Sequence, residues 1–128
     1  MRTLISVPGN WTLKDTYYFP LGQFPWMRVN DQKQKPPAMR DYQDKIAIMA
    51  REQIETGEAY GKLEGDLMVV ITYYTPKPKG DQTNNGKCIE DALNRIAYHD
   101  DKQNRQVIIL EETADTASTK VEIYTKVN

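Results

Sequence analysis

Between Asp66 and Tyr74 the chain carries an unbroken run of β-branched, aromatic and apolar residues, and Pro76 and Pro78 follow at once. A run of this length and type reads as a strand. Proline has no amide to donate and cannot prolong a central strand. The chain must therefore leave its sheet at about residue 76, and it emerges at Gly80-Asp81. What lies beyond is a short amphipathic segment and then a second acidic pair, Asp100-Asp101.

The remaining elements can be placed around that strand. Residues 2–7 read as a strand ending at Pro8-Gly9. Thr16 to Phe19 and Trp26 to Val29 flank Pro20 to Pro25, as a hairpin or an irregular aromatic loop. Pro36-Pro37 permits a helix to start at about Pro37. Met39, Tyr42, Ile46, Met49, Ala50 and Ile54 then recur at three- and four-residue spacing until Gly57. Asn84 or Asn85 can cap a second helix running to about Ala97, with Ile89, Ala92 or Leu93, and Ile96 as its apolar face. Val107 to Leu110 and the alternating Val121 to Val127 complete the set as strands. The order predicts a single α+β domain over residues 1–128, with two main helices against a mixed sheet. A chain of 128 residues buries only about two-thirds of its unfolded surface, so a dimer interface would add usefully to its core.

Asp81, Asp91, Asp100, Asp101 and Lys87 fall within twenty-one residues around the second helix. Carboxylates gathered at one point repel one another unless a cation sits between them. An oxygen-only donor set suits Mg²⁺, or Mn²⁺ in its place. A lysine beside such a set suits chemistry on a phosphate. Lys87 and Asp91 are four apart and lie one turn above the other. A helix from Asn84 to Ala97 is too long to bring Asp81 and Asp101 together by itself, so the loops after Pro78 and Tyr98 must fold back. The plainer alternative is a Lys87–Asp91 helix pair and an exposed Asp100-Asp101 turn.

Several chemistries are excluded. Cys88 is the only cysteine and His99 the only histidine, so an intrachain disulfide, a thiolate zinc site and a Ser-His-Asp triad find no support. One cysteine also fits a reducing cytosol. The residues Asn84-Asn85-Gly86-Lys87-Cys88 lack both the earlier glycine and the Ser/Thr of a phosphate-binding loop. The longest apolar run, Leu67 to Ile71, is far short of a membrane span, and no secretory leader is read at Met1 to Pro8. The net charge of −1 argues weakly against unspecific DNA binding. Yet Arg28, Lys33, Lys35 and Arg40 share one window with a single acid, and Lys77 and Lys79 lead into Asp81. Individually these cations read as solvated surface; together they are candidates for phosphate contacts.

The segment from Asp81 to Gln103 resembles the RusA-type Holliday junction resolvases, small phage-encoded endonucleases. Their pattern is Asp-x-Asp-Asn-x-x-Lys-x-x-x-Asp-Ala-Leu, a short turn with an aromatic, then Asp-Asp-x-Gln. Asp81, Asn84, Lys87, Asp91, Ala92, Leu93, Tyr98, Asp100, Asp101 and Gln103 match it in register. The resemblance implies a Mg²⁺-dependent homodimer in the host cytosol, phage- or prophage-encoded. Such a dimer binds a four-way DNA junction and nicks two opposed strands in recombination or repair. It implies Asp81, Lys87 and Asp101 as catalytic groups and Asp81, Asp101 and Asp100 as metal ligands. Asp91, Asn84 and Thr83 would stand behind them.

Thr83 occupies the place of the pattern's second aspartate. A hydroxyl is a weaker ligand than a carboxylate. The chain then either works with fewer carboxylates or binds junctions without cutting them. A reading of another class makes the helix 37–55 a docking element for a protein partner.

Overall fold

The computed structural model describes residues 10–24, 37–78 and 86–127. Among these residues the strands and α-helices follow in order: β1 (Trp11–Phe19), α1 (Pro37–Glu55), β2 (Leu67–Thr75), α2 (Lys87–Leu93), β3 (Asn104–Thr113) and β4 (Ser118–Lys126), with one 3₁₀ turn, Asp101–Gln103, before β3. The strands form one four-stranded sheet in the order β1-β4-β2-β3. β4 pairs antiparallel with both β1 and β2, while β2 and β3 are parallel. This is the mixed α+β sheet with two helices that the element order predicts.

β2 supplies the centre. Leu67, Val69, Ile71 and Tyr73 join Tyr17, Phe19, Val121 and Ile123 in the main core. Met68 and Val70 point the other way and pack with Tyr124, Trp11, Ile108 and Leu110. A strand buried on both faces needs no polar alternation, which explains why its sequence lacks one. Ile46 and Ala50 of α1 and Ile89 and Leu93 of α2 cap the main core. Gln43 of α1 is buried too, and its Nε2 donates to the Cys88 carbonyl at 3.0 Å, joining the helices.

Parallel pairing of β2 with β3 requires a crossover, and α2 lies within it. Leu67 pairs with Asn104, so the chain re-enters the sheet beside the start of β2. Gly86 permits the close approach of α2 to the sheet: a Cβ there would stand 2.9 Å from Ile109 Cδ1 and 3.1 Å from Ile71 Cδ1.

Several expectations need correction. The cap of α2 is Gly86, without a side-chain cap bond, and not Asn84 or Asn85. The helix stops at Leu93 instead of Ala97. Asn94 turns extended at ψ 131°, and Ile96 and Ala97 drop into the core, where their carbonyls accept from the Lys62 and Leu63 amides at 2.8 and 2.9 Å. That tertiary pairing outweighs further helix. Thr16–Phe19 is the end of a longer edge strand paired with β4. The apolar stripe of α1 packs against the main core, with Ile46 and Ala50 fully buried. The predicted strand 2–7 and the segment 26–29 lie outside the described residues.

Candidate active site

Lys87 opens α2, and its position follows from Gly86 beneath it. Its Nζ donates to Asp101 Oδ2 at 2.9 Å and lies 3.4 Å from Asp91 Oδ1. Asp91 is the i+4 neighbour on the same helix, a pairing the helix repeat provides locally. Asp101 is fourteen residues away in sequence and arrives only because the chain folds back after α2. The ammonium side chain is 63% exposed, whereas Asp91 and Asp101 are 27% and 22% exposed. The cluster is thus open to a large substrate on the lysine side.

The two charges reinforce each other. The hydrogen bond to Asp101, and then the charge of Asp91, hold the Lys87 ammonium above its ordinary pKa. The hydrogen bond from Lys87 draws the Asp101 carboxyl below the usual range, against partial burial. Asp101 is therefore an ionised oxygen donor over the whole neutral range.

What holds Asp101 in place is a capping box that opens a single 3₁₀ turn, Asp101–Gln103. Asp100 Oδ1 accepts the Lys102 amide at 2.9 Å. Gln103 Oε1 accepts the His99 and Asp100 amides at 2.7 and 2.9 Å. Its Nε2 donates to the Leu63 and Gly65 carbonyls at 2.9 and 3.0 Å. One glutamine thereby stitches the turn to the loop that precedes β2. Below it, Tyr98 is fully buried and donates to the Glu90 carbonyl at 2.7 Å. Burial, first of all, pushes the Tyr98 pKa up, so its hydroxyl stays protonated and able to donate. Gln103 and Tyr98 belong to the sequence motif, but sequence reasoning assigned neither a task. The Asp-x-x-Gln spacing is itself a capping-box signature and could have revealed the first.

The other sequence-predicted residues fall into two groups. Arg40 and Lys77 are exposed, at the start of α1 and just past β2. Asp81, Thr83, Asn84, Lys79, Arg28, Lys33 and Lys35 lie outside the described residues. Among the described residues, no group of three or more His, Cys, Asp and Glu side chains is arranged to hold a metal ion. The donor chemistry nevertheless fits a hard divalent cation: the carboxylates concerned offer oxygen only, and one is kept ionised by its neighbour. Of the aromatics at the end of β1, Tyr17 and Phe19 are core residues, whereas Tyr18 is 63% exposed.

A family model described as endodeoxyribonuclease RusA matches residues 19–124. No curated protein matches the chain. No helix among the described residues is long and apolar enough to cross a membrane.

Proposed function

Because the chain belongs to the RusA endodeoxyribonuclease family, we propose that it resolves four-way DNA junctions by a pair of nicks in opposed strands. The observation that carries this reading is the Lys87 ammonium held between Asp91 and Asp101, at 3.4 and 2.9 Å, on an open surface. An exposed cation with fixed carboxylate partners is a poor stabiliser of the fold. It is well suited to meet a scissile phosphate.

Asp81 and Asp101 would hold Mg²⁺, with Mn²⁺ as a substitute. The ion, when bound, supplies Lewis-acid polarisation of the phosphate and a lower pKa for a coordinated water. Lys87 neutralises charge that builds on the phosphate oxygens or on the departing oxygen. Asp91 orients that ammonium along the helix. Asp100 spends one oxygen on the Lys102 amide, so its task is to set the turn that aims Asp101, with its second oxygen left as an outer acceptor. Asn84 and Thr83 stand behind the acids. Lys77, Lys79, Arg28, Lys33, Lys35 and Arg40 contact the phosphates of the junction arms. Two simultaneous cuts need two sites at a fixed separation, which a two-fold homodimer supplies. The whole chain acts as one domain, in the cytosol of a bacterial host and encoded by a phage or prophage.

The test is direct. A labelled four-way junction incubated with Mg²⁺ should yield symmetrical nicks, and Asp101→Asn should slow them by about 10²–10³-fold. Thr83→Asp should raise the rate if the site is one carboxylate short. Junction binding without any metal-dependent product would make this a binding protein instead.

A further inference from the structure

A second feature lies at the other end of α2 from Lys87. Arg51, Ile54, Tyr60, Gly61, Lys62, Arg95 and Ile96 line an open cavity of about 420 Å³. Three of these side chains are cationic, and none of the lining residues is acidic. Among the described residues, none of the three cations has an ion-pair partner. In a chain of net charge −1, three such cations gathered around one hollow repel one another until an anion arrives.

The backbone holds them there at a cost. Lys62 and Arg95 are the only non-glycine residues with positive φ among the described ones, at 44° and 68°. That region favours glycine, yet both positions carry a cation and both line the same cavity. Backbone strain that the surroundings over-determine is a recurrent mark of binding sites. The surroundings do over-determine it here. The Lys62 amide donates to the Ile96 carbonyl at 2.8 Å, locking the two loops together. Asp15, only 2% exposed, accepts the Tyr60 and Gly61 amides at 2.9 and 3.0 Å from beneath. The loop is built before any ligand comes. Lys14 lies over the 71%-exposed Tyr60 ring, 4.8 Å from its centre, and brings a fourth positive charge to the rim.

We propose that Arg51, Lys62 and Arg95 form a second DNA-backbone subsite, gripping the phosphates of a junction arm at the far end of α2 from the Lys87 cluster. This rests on the reading of the chain as a junction nuclease and adds a binding surface that its motif does not contain. The seven residues of α2 span about 10 Å, the rise of roughly three base pairs, so one arm can touch both ends of the helix. The subsite reads charge and not sequence, because three cations in an open hollow offer no selective base-edge geometry.

The test uses the intact protein with a fluorescent four-way junction and excess chelator, so that binding is measured without cleavage. Dissociation constants are taken across a salt series. Lys62→Gly/Arg95→Gly removes two charges at positions whose φ suits glycine, so its melting temperature should stay level or rise. Its affinity should fall at least tenfold, and the slope of log affinity against log salt should drop by about 0.9 for each phosphate that the protein no longer neutralises. Arg51→Gln, on the exposed side of α1, should lower the slope by about half as much. Wild-type affinity and slope in both variants would overturn the subsite while leaving the nuclease reading intact. A wild-type protein with no affinity for the junction would overturn both.

Discussion

Asp15 and Asp101 are both carboxylates that tie distant segments together, yet they do so in opposite surroundings. Asp15 sits at a register shift in β1, is 2% exposed, and takes two backbone amides and the Tyr17 hydroxyl. Asp101 is 22% exposed in its side chain and takes one side-chain ammonium. Fixed backbone donors around a buried charge make a structural anchor, because removing either side strands the other in a dry interior. An exposed charge with a flexible partner contributes little to folding and can exchange that partner for a ligand. Burial and donor type therefore separate a scaffold acid from a working one where residue identity does not.

That contrast can be broken in several ways. The largest effects fall on turnover at the open site. Asp101→Asn or Lys87→Ala should lower junction cleavage by about 10²–10³-fold, the scale of losing one charge-stabilising group. Their unfolding free energies should move by less than about 0.5 kcal/mol, read by urea denaturation. Asp15→Ala should do the reverse, costing about 2–4 kcal/mol of stability because buried amides lose their acceptor. An Asp15→Ala protein as stable as wild type would erase the distinction.

Gln103→Ala sits between the two. It strands two amides and two carbonyls at the surface of the turn, and should cost about 1–2 kcal/mol. It should also slow cleavage, because Asp101 loses the turn that aims it. Asp91→Asn should cost only about 0.3–0.5 kcal/mol, the scale of an exposed i,i+4 pair.

The smallest effect is a titration. Asp101 has a lowered folded-state pKa through Lys87. Its stabilising contribution is therefore present above the unfolded carboxyl value and fades as pH falls through the folded one. Lys87, raised by the same pair, contributes fully below the unfolded lysine value, and that contribution is lost as pH rises through the folded one. Carboxyl NMR should show Asp101 below the usual range in wild type and back within it in Lys87→Ala. An unchanged Asp101 in that variant would break the pairing.

Much of the scaffold was legible in residue pattern. The apolar run of β2, the three- and four-residue repeat of α1 and the alternation of β4 each report burial along a single element. Asp15 was legible in principle, since it shares the odd positions of Tyr17 and Phe19 in one strand and so faces inward. The end of α2 was not. Its local sequence permits helix through Ala97, and only the pairing of Ile96 and Ala97 with the loop at Lys62 and Leu63 ends it early.

The sequence by itself determined which residue types stand near one another along the chain: an acid–lysine–acid spacing on a helix, and a strand that proline forces to end. Those follow from covalent geometry and local periodicity. Only the tertiary structure decided that Asp101 turns back onto Lys87, that Gln103 holds the turn, and that Arg51, Lys62 and Arg95 share one hollow. Each of these joins residues from separate segments, and such pairings depend on how β2, β3 and the two helices pack, which no single window of sequence encodes.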